Sequence, residues 1–363
     1  DRRPSGQGDT FAAPSAIIRA DTPDEVDAAF AAMAQAREAG QWLAGYLSYE
    51  FGYLTSPKLV DLLPDGRNLP LIHFGVFDAP QKTAPADATQ ADMAPLAPHW
   101  TPENYAEAFS TAHDYIGAGD IYQVNLTFPI GSASGATADD LYAALCARQQ
   151  VPHGALVDLG ETVLLSRSPE LFFALTASGG LTTRPMKGTA PRGATPQSDD
   201  DLRDALRTSV KNRAENLMIV DLLRNDMSRV SEIGSVKVPD LFAVERFTTL
   251  HQMTSTITSQ VRPDTTLKDL FMALFPCGSI TGAPKVRAME IIHELEPAPR
   301  DAYCGSIGWI APDGSMEFSV AIRTLMYRPD GSIRLNVGGG VVYDSTAQSE
   351  YDEALLKAQF ARL

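Results

Sequence analysis

The fold class is decided by residues 154–189, which read GALVDLGETVLLSRSPELFFALTASGGLTTRPMKGT. Short apolar runs in this stretch are separated by turn signals at Gly160 and at Ser178-Gly179-Gly180, a pattern typical of successive β-strands. Further strands are predicted at 235–262 and 303–343. Because strands far outnumber those of a βαβ alternation, the sequence predicts an α+β fold with large antiparallel sheets.

Helices are predicted between these groups of strands. Thr101-Pro102 opens a helix with one apolar stripe, and Gly117 stops it. Residues 196–228 are predicted to be helical, and a last helix closes the chain. The apolar and aromatic run from Trp42 to Tyr53 is predicted to be a buried strand.

Composition narrows the classes of function. The 363 residues are 44% hydrophobic and 21% charged, as in an ordinary soluble globular protein. A net charge of −15 argues against a nucleic-acid partner, since phosphate binding needs a basic surface. No stretch approaches the roughly 20 apolar residues of a membrane span. Three scattered cysteines argue against a disulfide framework, so we expect a cytoplasmic location.

The strand predicted at Ile121–Phe128 alternates apolar and polar residues. Gln123, Asn125 and Thr127 share one face, which carries amides and a hydroxyl but no charge. Solvent exposure is the favoured prediction for this face. A face that lines a site is the alternative.

Lys187 lies in the Gly- and Thr-rich stretch RPMKGT, residues 184–189. Alone it would be a solvated lysine near a turn. Gly188 permits close approach by a ligand, and Arg184 and Arg192 add positive charge. Nearby cations disfavour protonation, and a neutral amine is a nucleophile, so we predict a lowered pKa for Lys187.

Two acidic segments are candidates for a divalent cation site. Glu215 begins the buried face of a predicted helix, where a carboxylate needs a metal or an arginine partner. Glu350 and Glu353 share one face of the last helix, although Lys357 offers Glu353 an ordinary surface ion pair. Two distant acidic helices can supply the few carboxylates that Mg²⁺ takes while it keeps several waters.

Three isolated groups have a functional and a structural interpretation each. Arg323 is predicted in an apolar strand, where it needs an anion from the protein or a ligand. His251 is either a core histidine or a catalyst. Glu170 has aromatic neighbours that would raise its pKa and suit it to acid catalysis, but Arg167 offers it a structural ion pair.

Two glycine-rich segments look like nucleotide motifs but have the wrong spacing. In residues 278–285 Pro284 separates glycine from lysine, and after residues 338–340 Tyr343 replaces the last glycine of a dinucleotide fingerprint. Thr281-Gly282 still precedes a helix predicted from Pro284, and a helix N-terminus attracts carboxylates.

Taken together, the chain resembles the chorismate-utilising enzymes, which include anthranilate, isochorismate and salicylate synthases. The resemblance implies two large, mostly antiparallel sheets packed together and flanked by helices, with the active site in a cleft between them. Residues 1–98 would be the N-terminal α/β part of one interlocked fold, ending in a Pro- and Ala-rich loop. Residues 99–363 would be the chorismate-binding catalytic region. The matching stretches are residues 119–126, 168–170, 214–226, 251, 278–285 and 348–357.

Within this family Lys187 implies a particular branch. Anthranilate-forming members carry a small residue there, whereas members that make 4-amino-4-deoxychorismate for p-aminobenzoate and folate carry lysine. Gln123 stands where water-adding members carry a lysine that activates water. The resemblance therefore implies an Mg²⁺-dependent aminotransferase acting on chorismate. The alternatives are an anthranilate synthase component, a non-catalytic relative that binds chorismate or tryptophan, and an enzyme that serves both pathways.

The resemblance also implies roles for single residues. In the implied mechanism, Lys187 attacks ring carbon C2 while Glu170 protonates the leaving C4 hydroxyl, and ammonia then adds at C4 and expels the lysine. The implied residue sets are catalytic (Lys187, Glu170, His251), metal-binding (Glu215, Glu353, with Glu350 close by) and substrate-binding (Gln123, Thr281, Gly282, Tyr303, Arg323, Gly340).

Two partners follow from the same resemblance. The chain has no Gly-x-Cys-x-Gly glutaminase signature, so ammonia would come from a separate glutamine amidotransferase subunit. Ser48, Tyr49 and Glu50 resemble the place where relatives bind tryptophan, with an ordinary core strand as the alternative.

Overall fold

The computed structural model describes residues 8–83, 91–247 and 250–363. The predicted loop at 79–98 therefore lies partly outside the described residues. The α-helices are α1 (Val26–Glu38), α2 (Pro102–Ala118), α3 (Ala138–Arg148), α4 (Pro196–Thr208), α5 (Val210–Ser228), α6 (Leu267–Leu274), α7 (Lys285–Leu295) and α8 (Ala347–Lys357).

The strands follow in chain order. The first ten are β1 (Gly8–Thr10), β2 (Ala16–Ala20), β3 (Trp42–Leu47), β4 (Ile72–Phe77), β5 (Gln81–Thr83), β6 (Ala97–Pro98), β7 (Gln123–Ala133), β8 (His153–Asp158), β9 (Val163–Ser168) and β10 (Leu171–Leu175). The rest are β11 (Gly180–Arg184), β12 (Met186–Pro191), β13 (Lys237–Arg246), β14 (Leu250–Gln260), β15 (Gly282–Ala283), β16 (Ser306–Ile310), β17 (Met316–Val320), β18 (Thr324–Tyr327) and β19 (Ser332–Val341).

Two large sheets organise these strands. The larger has ten strands in the order β12-β14-β11-β10-β17-β16-β3-β4-β2, with β13 also paired to β14. The smaller has seven in the order β15-β7-β19-β18-β9-β8, with β6 also paired to β7. Paired strands in both sheets run antiparallel, as in the β7–β19 and β16–β17 pairs. The predicted α+β fold with large antiparallel sheets is confirmed.

One continuous apolar core joins the two sheets. Phe74 and Phe318 come from the larger sheet, Leu126 and Phe128 come from the smaller, and all four are fully buried in one cluster. Burial of large apolar side chains is the main favourable term in folding, so the sheets are stabilised by a shared interior.

The N-terminal segment belongs to the larger sheet. Strand β3 pairs with β16 from residue Leu43 opposite Ile310 to Leu47 opposite Ser306. The strand predicted from Trp42 to Tyr53 is only half right, because a 3-10 helix follows over Tyr49–Thr55.

Close packing requires a glycine inside this 3-10 helix. A Cβ at Gly52 would lie 2.7 Å from the ring of Pro276, so a larger residue does not fit there without a shift of its neighbours.

Helix ends follow their sequence signals. Thr101 caps α2 by accepting a hydrogen bond from the Asn104 backbone N–H, and Gly119 ends the helix in the left-handed conformation at φ 84°. Within the described residues, no helix is both long and apolar enough to cross a membrane.

Candidate active site

The chain crosses between the two sheets at two adjacent points, and each crossover carries one charged residue. The chain leaves the smaller sheet at the end of β9 and enters the larger sheet at β10, with Glu170 between them. It returns between β17 and β18, with Arg323 at the turn. Backbone hydrogen bonds join the crossovers, from Val320 N to Glu170 O at 3.1 Å and from Arg167 N to Arg323 O at 2.9 Å. Both charges therefore lie at the seam between the sheets.

Glu170 is buried and bonded as an acid rather than as one half of an ion pair. Its Oε1 accepts a hydrogen bond of 2.7 Å from the Ser279 hydroxyl. Burial raises the pKa of Glu170 to about 7, and Ser279 and Lys187 oppose that rise. Arg167 instead donates to the carbonyl oxygen of Gln149 at 2.5 Å. The interpretation as a proton donor thus fits better than a structural pair with Arg167.

Lys187 lies on β12 and faces the same seam. Burial lowers its pKa, and the nearby ammonium of Lys357 lowers it further. The carboxylates of Glu170, Glu215 and Glu353 raise the pKa of Lys187. The predicted lowering of the Lys187 pKa is confirmed. The three carboxylates come from three different segments of the chain, and all of them lie near this amine.

The predicted cause of that pKa shift is wrong. Arg184 forms an ion pair with Glu245, and Arg192 forms one with Asp199 at 2.7 Å. Each arginine is therefore compensated by a carboxylate of its own, and burial is the main reason for the lowered pKa of Lys187.

Gly188 also differs from its predicted role. It has φ 92°, and a Cβ there would lie 3.0 Å from the Asn212 side chain on α5. The glycine is required by the backbone conformation and by the close approach of α5.

The amide of Gln123 lies beside Lys187 across Gly340. A Cβ on Gly340 would lie 3.0 Å from Gln123 Nε2 and 3.2 Å from Lys187 Nζ, so only glycine leaves room for both groups. The amide oxygen and nitrogen of Gln123 are buried and have no hydrogen-bond partner among the described residues. A buried amide without partners is a ready contact for a polar ligand.

Solvent exposure of the polar face of this strand was the wrong prediction. Gln123, Asn125 and Thr127 are all buried, whereas Tyr122 is 71% exposed. Buried in this way, Asn125 and Thr127 form hydrogen bonds within the protein instead of with solvent. Asn125 Nδ2 donates to the carbonyl oxygen of Ile280 at 3.0 Å, for example.

Arg323 is a cation without a protein partner. It lies at a bend with φ 51°, so the prediction of a position inside a strand is wrong. Burial lowers the pKa of its guanidinium, which has no hydrogen bond or ion pair in the part of the chain that the structure describes. A half-buried, uncompensated cation in a strained backbone is typical of an anion-binding position.

The acidic residues of α5 and α8 face Lys187 from the opposite side. Glu353 pairs with Lys357 at 2.8 Å, as the alternative interpretation predicted. Burial opposes ionisation of Glu353, but Lys357, Lys187 and Lys211 together lower its pKa.

The other two acidic groups are less compensated. Burial raises the pKa of Glu350, whose Oε1 accepts a hydrogen bond of 2.6 Å from Ser345. Glu215 forms no ion pair with another described residue, so the alternative of a structural arginine pair is not supported. In the described ranges, no group of three or more His, Cys, Asp or Glu side chains is close enough to hold a metal ion.

The loop before α7 brings backbone and hydroxyl groups to the seam. Thr281 is buried and donates to the carbonyl oxygen of Cys277 at 3.2 Å. Gly282 has φ 156°, and a Cβ there would lie 2.2 Å from the Gln123 carbonyl oxygen. Pro284 is the N-cap of α7, so the helix begins one residue later than predicted. Tyr303 is also buried, and burial raises its pKa.

His251 is held by an acid on a neighbouring helix. Its Nε2 lies 2.8 Å from Asp199 Oδ1, and its Nδ1 is buried without a partner among the described residues. The register places His251 opposite Ala190, three residues beyond Lys187 on β12. Its catalytic role stays a prediction.

The segment predicted to bind tryptophan is buried and incompletely bonded. Ser48 Oγ, Tyr49 Oη and Glu50 Oε2 have no hydrogen-bond partner within the described residues. Burial raises the pKa of Glu50 to about 8. Arg300 lies over the ring of Tyr49 at 4.6 Å. The alternative of an ordinary core strand is wrong at Tyr49 and Glu50, and tryptophan binding stays a prediction.

Two residues that contact the site were not predicted from the sequence. Ser279, the partner of Glu170, lies inside the segment 278–285 that was singled out only for its glycines. Asp199 stands near the start of α4, twelve residues after Lys187, with no local pattern that points to His251. Neither contact has a sequence signal, because both join elements that are distant along the chain.

Known proteins are similar to this chain in sequence. The chorismate binding enzyme family matches residues 2–362. Aminodeoxychorismate synthase component 1 of Escherichia coli K12 is 47% identical over 257 residues, 71% of this chain and 56% of that protein. Anthranilate synthase component 1 of Pseudomonas aeruginosa is 36% identical over 278 residues, 77% of this chain and 56% of that protein.

A solved structure has a similar fold. Anthranilate synthase component I from Streptococcus pneumoniae TIGR4 superimposes with a TM-score of 0.85 at 25% identity, covering 100% of this chain and 93% of that one. The chain spans between 55% and 61% of the length of three bacterial aminodeoxychorismate synthase relatives. With a family match over nearly all its residues and the matching fold, this chain belongs to the chorismate binding enzymes.

Proposed function

We propose that this chain is the chorismate-aminating component of an aminodeoxychorismate synthase, which converts chorismate and ammonia to 4-amino-4-deoxychorismate. The observation that carries the proposal is the half-buried Lys187 amine, which is lowered in pKa and flanked by the buried acid Glu170. Relatives named aminodeoxychorismate synthase component 1 reach 47% identity, against 36% and 37% for two anthranilate synthase components, which supports the same branch.

The proposed first step uses Lys187 as nucleophile. Its neutral amine forms a bond to ring carbon C2, the ring double bonds shift, and the C4 hydroxyl leaves as water with a proton from Glu170. In the second step ammonia bonds to C4, the double bonds shift back, and the Lys187 amine leaves C2. The enolpyruvyl group stays on the product, and the ammonium formed at C4 can return a proton to Glu170. A lysine lowered in pKa by burial and an acid with a pKa of about 7 suit these two roles.

The substrate's carboxylates have candidate partners at the seam. The unpaired guanidinium of Arg323 would bind one carboxylate, with Tyr303, Thr281 and the backbone at Gly282 and Gly340 around it. Gln123 would contact the ring region next to Lys187, because its amide is buried and lacks a partner among the described residues.

The carboxylates of α5 and α8 are the candidate ligands of a magnesium ion. Glu215 and Glu353 would hold it, with Glu350 close by, since Mg²⁺ prefers oxygen ligands and keeps several waters instead of a full protein shell. When bound, the ion would neutralise a carboxylate of chorismate. Glu215 and Glu353 both act on Lys187, and the charge of Glu353 raises the pKa of Glu350, so a cation near these carboxylates would be favoured.

The partner proposal follows from the substrate. The E. coli relative is named component 1, which favours a second component for that relative and, by analogy, for this chain. A glutamine amidotransferase subunit would supply the ammonia.

Product identity tests the proposed function. Chorismate, Mg²⁺ and an ammonium salt are incubated with the chain, and products are separated by chromatography and weighed by mass spectrometry. We expect 4-amino-4-deoxychorismate, which retains the enolpyruvyl carbons. Fluorescent anthranilate as the main product would place the chain in the other branch, and no turnover in either case would favour a binding protein.

Replacing Arg323 separates binding from stability. Arg323→Gly removes the guanidinium and the side chain that strains the backbone at φ 51°. We expect chorismate affinity to fall about 10-fold to 100-fold, as for a lost charge-assisted hydrogen bond. The free energy of unfolding should stay unchanged or rise by about 1 kcal/mol, because glycine tolerates this conformation. Calorimetric binding and denaturant unfolding check both, and a marked loss of stability without loss of affinity would contradict the anion-binding role.

Replacing Glu215 tests the metal site. Glu215→Gln keeps the size of the side chain but removes a ligand charge, so we expect Mg²⁺ affinity measured by titration calorimetry to fall about 10-fold or more. The fold should persist, since Glu215 forms no ion pair with a described residue. Glu232→Gln, on the exposed surface after α5, is the matched control. Equal Mg²⁺ affinity in both variants would remove Glu215 from the site.

A further inference from the structure

Ser279 holds the acid Glu170 through a hydrogen bond that joins two distant parts of the chain. Ser279 lies in the turn Gly278–Ile280, just before the substrate loop, and its Oγ is 2.7 Å from Glu170 Oε1. Both side chains are buried, with 5% and 4% of their surface exposed, so water does not compete for the bond. The contact spans 109 residues of sequence.

The turn that carries Ser279 is itself fixed. A Cβ at Gly278 would lie 2.5 Å from the Leu222 side chain, so the turn packs tightly on α5. Thr281 donates back to the carbonyl oxygens of Cys277 and Gly278 at 3.2 and 3.3 Å. A rigid loop therefore holds the hydroxyl of Ser279, so a small displacement of the loop would displace the hydroxyl as well.

A neighbouring thiol contacts the same hydroxyl and is compatible with its donation to Glu170. Cys277 Sγ lies 3.3 Å from Ser279 Oγ. Burial raises the pKa of Cys277 to about 12, so the group stays a thiol that can donate its S–H. With the thiol donating to Ser279 Oγ, the serine proton is directed to Glu170 Oε1.

We propose that Ser279 is a positioning residue that fixes which oxygen of Glu170 delivers its proton to the leaving hydroxyl of chorismate. Because Ser279 donates to Oε1, the transferable proton is carried on Oε2. As that proton moves to the C4 oxygen and the C–O bond breaks, charge forms on the carboxylate, and the Ser279 hydrogen bond strengthens. This inference rests on the proposed function for its reaction, but the hydrogen bond can be measured without turnover.

The other groups that face Glu170 set the background for such a measurement. They are the ammonium of Lys187, the thiol of Cys277 and the backbone N–H of Met186. Burial raises the pKa of Glu170 to about 7. Of the groups that lower this pKa, the hydroxyl of Ser279 has the largest effect. Removing that hydroxyl should therefore raise the pKa further.

Titration of Glu170 in Ser279 variants tests the proposal. In protein labelled with ¹³C at glutamate carboxyl carbons, the Glu170 signal is assigned by its loss in Glu170→Gln. We expect Ser279→Ala to raise its titration midpoint by about one pH unit, and to lower kcat more than it changes KM. Ser279→Thr keeps a hydroxyl donor and should restore both values. Ser306→Ala removes another buried serine hydroxyl, which donates to Ser319 O, and should change neither.

Each outcome decides the matter. If Ser279→Ala folds and Glu170 titrates as in wild type, or if Ser279→Thr shifts the midpoint as much as alanine does, the proposal is wrong. If the alanine variant does not fold, Ser279→Cys supplies a weaker donor and should raise the midpoint in the same direction, and an unchanged midpoint there would be equally decisive. Failure of the proposed function would instead appear as the wrong product from wild type, with the titration unaffected.

Discussion

Lys187→Ala should abolish formation of 4-amino-4-deoxychorismate, with kcat reduced by about 10³-fold or more. The Lys187 amine interacts with Glu170 and lies beside Gln123 and Gly340. Lys357, a second lysine nearby, forms an ion pair with Glu353 at 2.8 Å and is therefore a poor replacement for the C2 nucleophile. Initial rates measured by chromatography with saturating Mg²⁺ and ammonium check the loss.

Controls for this variant separate chemistry from folding. Lys58→Ala removes an exposed lysine far along the chain from the site and should leave the rate unchanged. The thermal midpoint of Lys187→Ala should not fall below that of wild type, because burial already disfavours the half-buried charge that the substitution removes. A fully active Lys187→Ala variant would make the lysine incidental. Anthranilate as its product would instead show that the site aminates without covalent catalysis.

Glu170→Gln should reduce kcat by about 10²-fold to 10⁴-fold, the usual contribution of a positioned general acid. With a pKa of about 7, Glu170 is protonated at lower pH and loses its proton as the pH rises through that value. Wild-type kcat should therefore fall on the alkaline side of about pH 7. The glutamine variant should lack the alkaline decline.

The pH profile also gives this prediction its control. Glu161→Gln, on the exposed turn between β8 and β9, should keep both the rate and the profile of wild type. If Glu170→Gln keeps the alkaline decline, another group is the acid, and Glu170 has a structural role.

The fold was largely predictable because its signals are local. Turn glycines and short apolar runs predicted the strands between residues 154 and 189, and Thr101 marked a helix start that the structure confirms. The prediction of which side chains face solvent was wrong on one strand. Gln123 and its polar neighbours were predicted to face solvent, yet a second sheet and helices cover that face. Alternation along one strand cannot show what packs on its polar side.

The candidate site was predictable only in part. Lys187 and Glu170 stand in recognisable motifs, and the structure brings them to one seam. The compensation of Arg184 by Glu245 and the contact of Ser279 with Glu170 could not be predicted, because each depends on pairing between strands or loops far apart in sequence. The bend at Arg323 was likewise missed, since a positive φ at a non-glycine residue has no sequence signal.

The most direct test of the account is the mass of the peptide that contains Lys187 after reaction without ammonia. The chain is incubated with chorismate and Mg²⁺, quenched in acid, digested and analysed by mass spectrometry. Without ammonia the second step lacks its nucleophile, so we predict that Lys187 carries the mass of chorismate less one water. An unmodified Lys187, in protein that turns over chorismate as soon as ammonium is added, would contradict the nucleophilic role of this lysine.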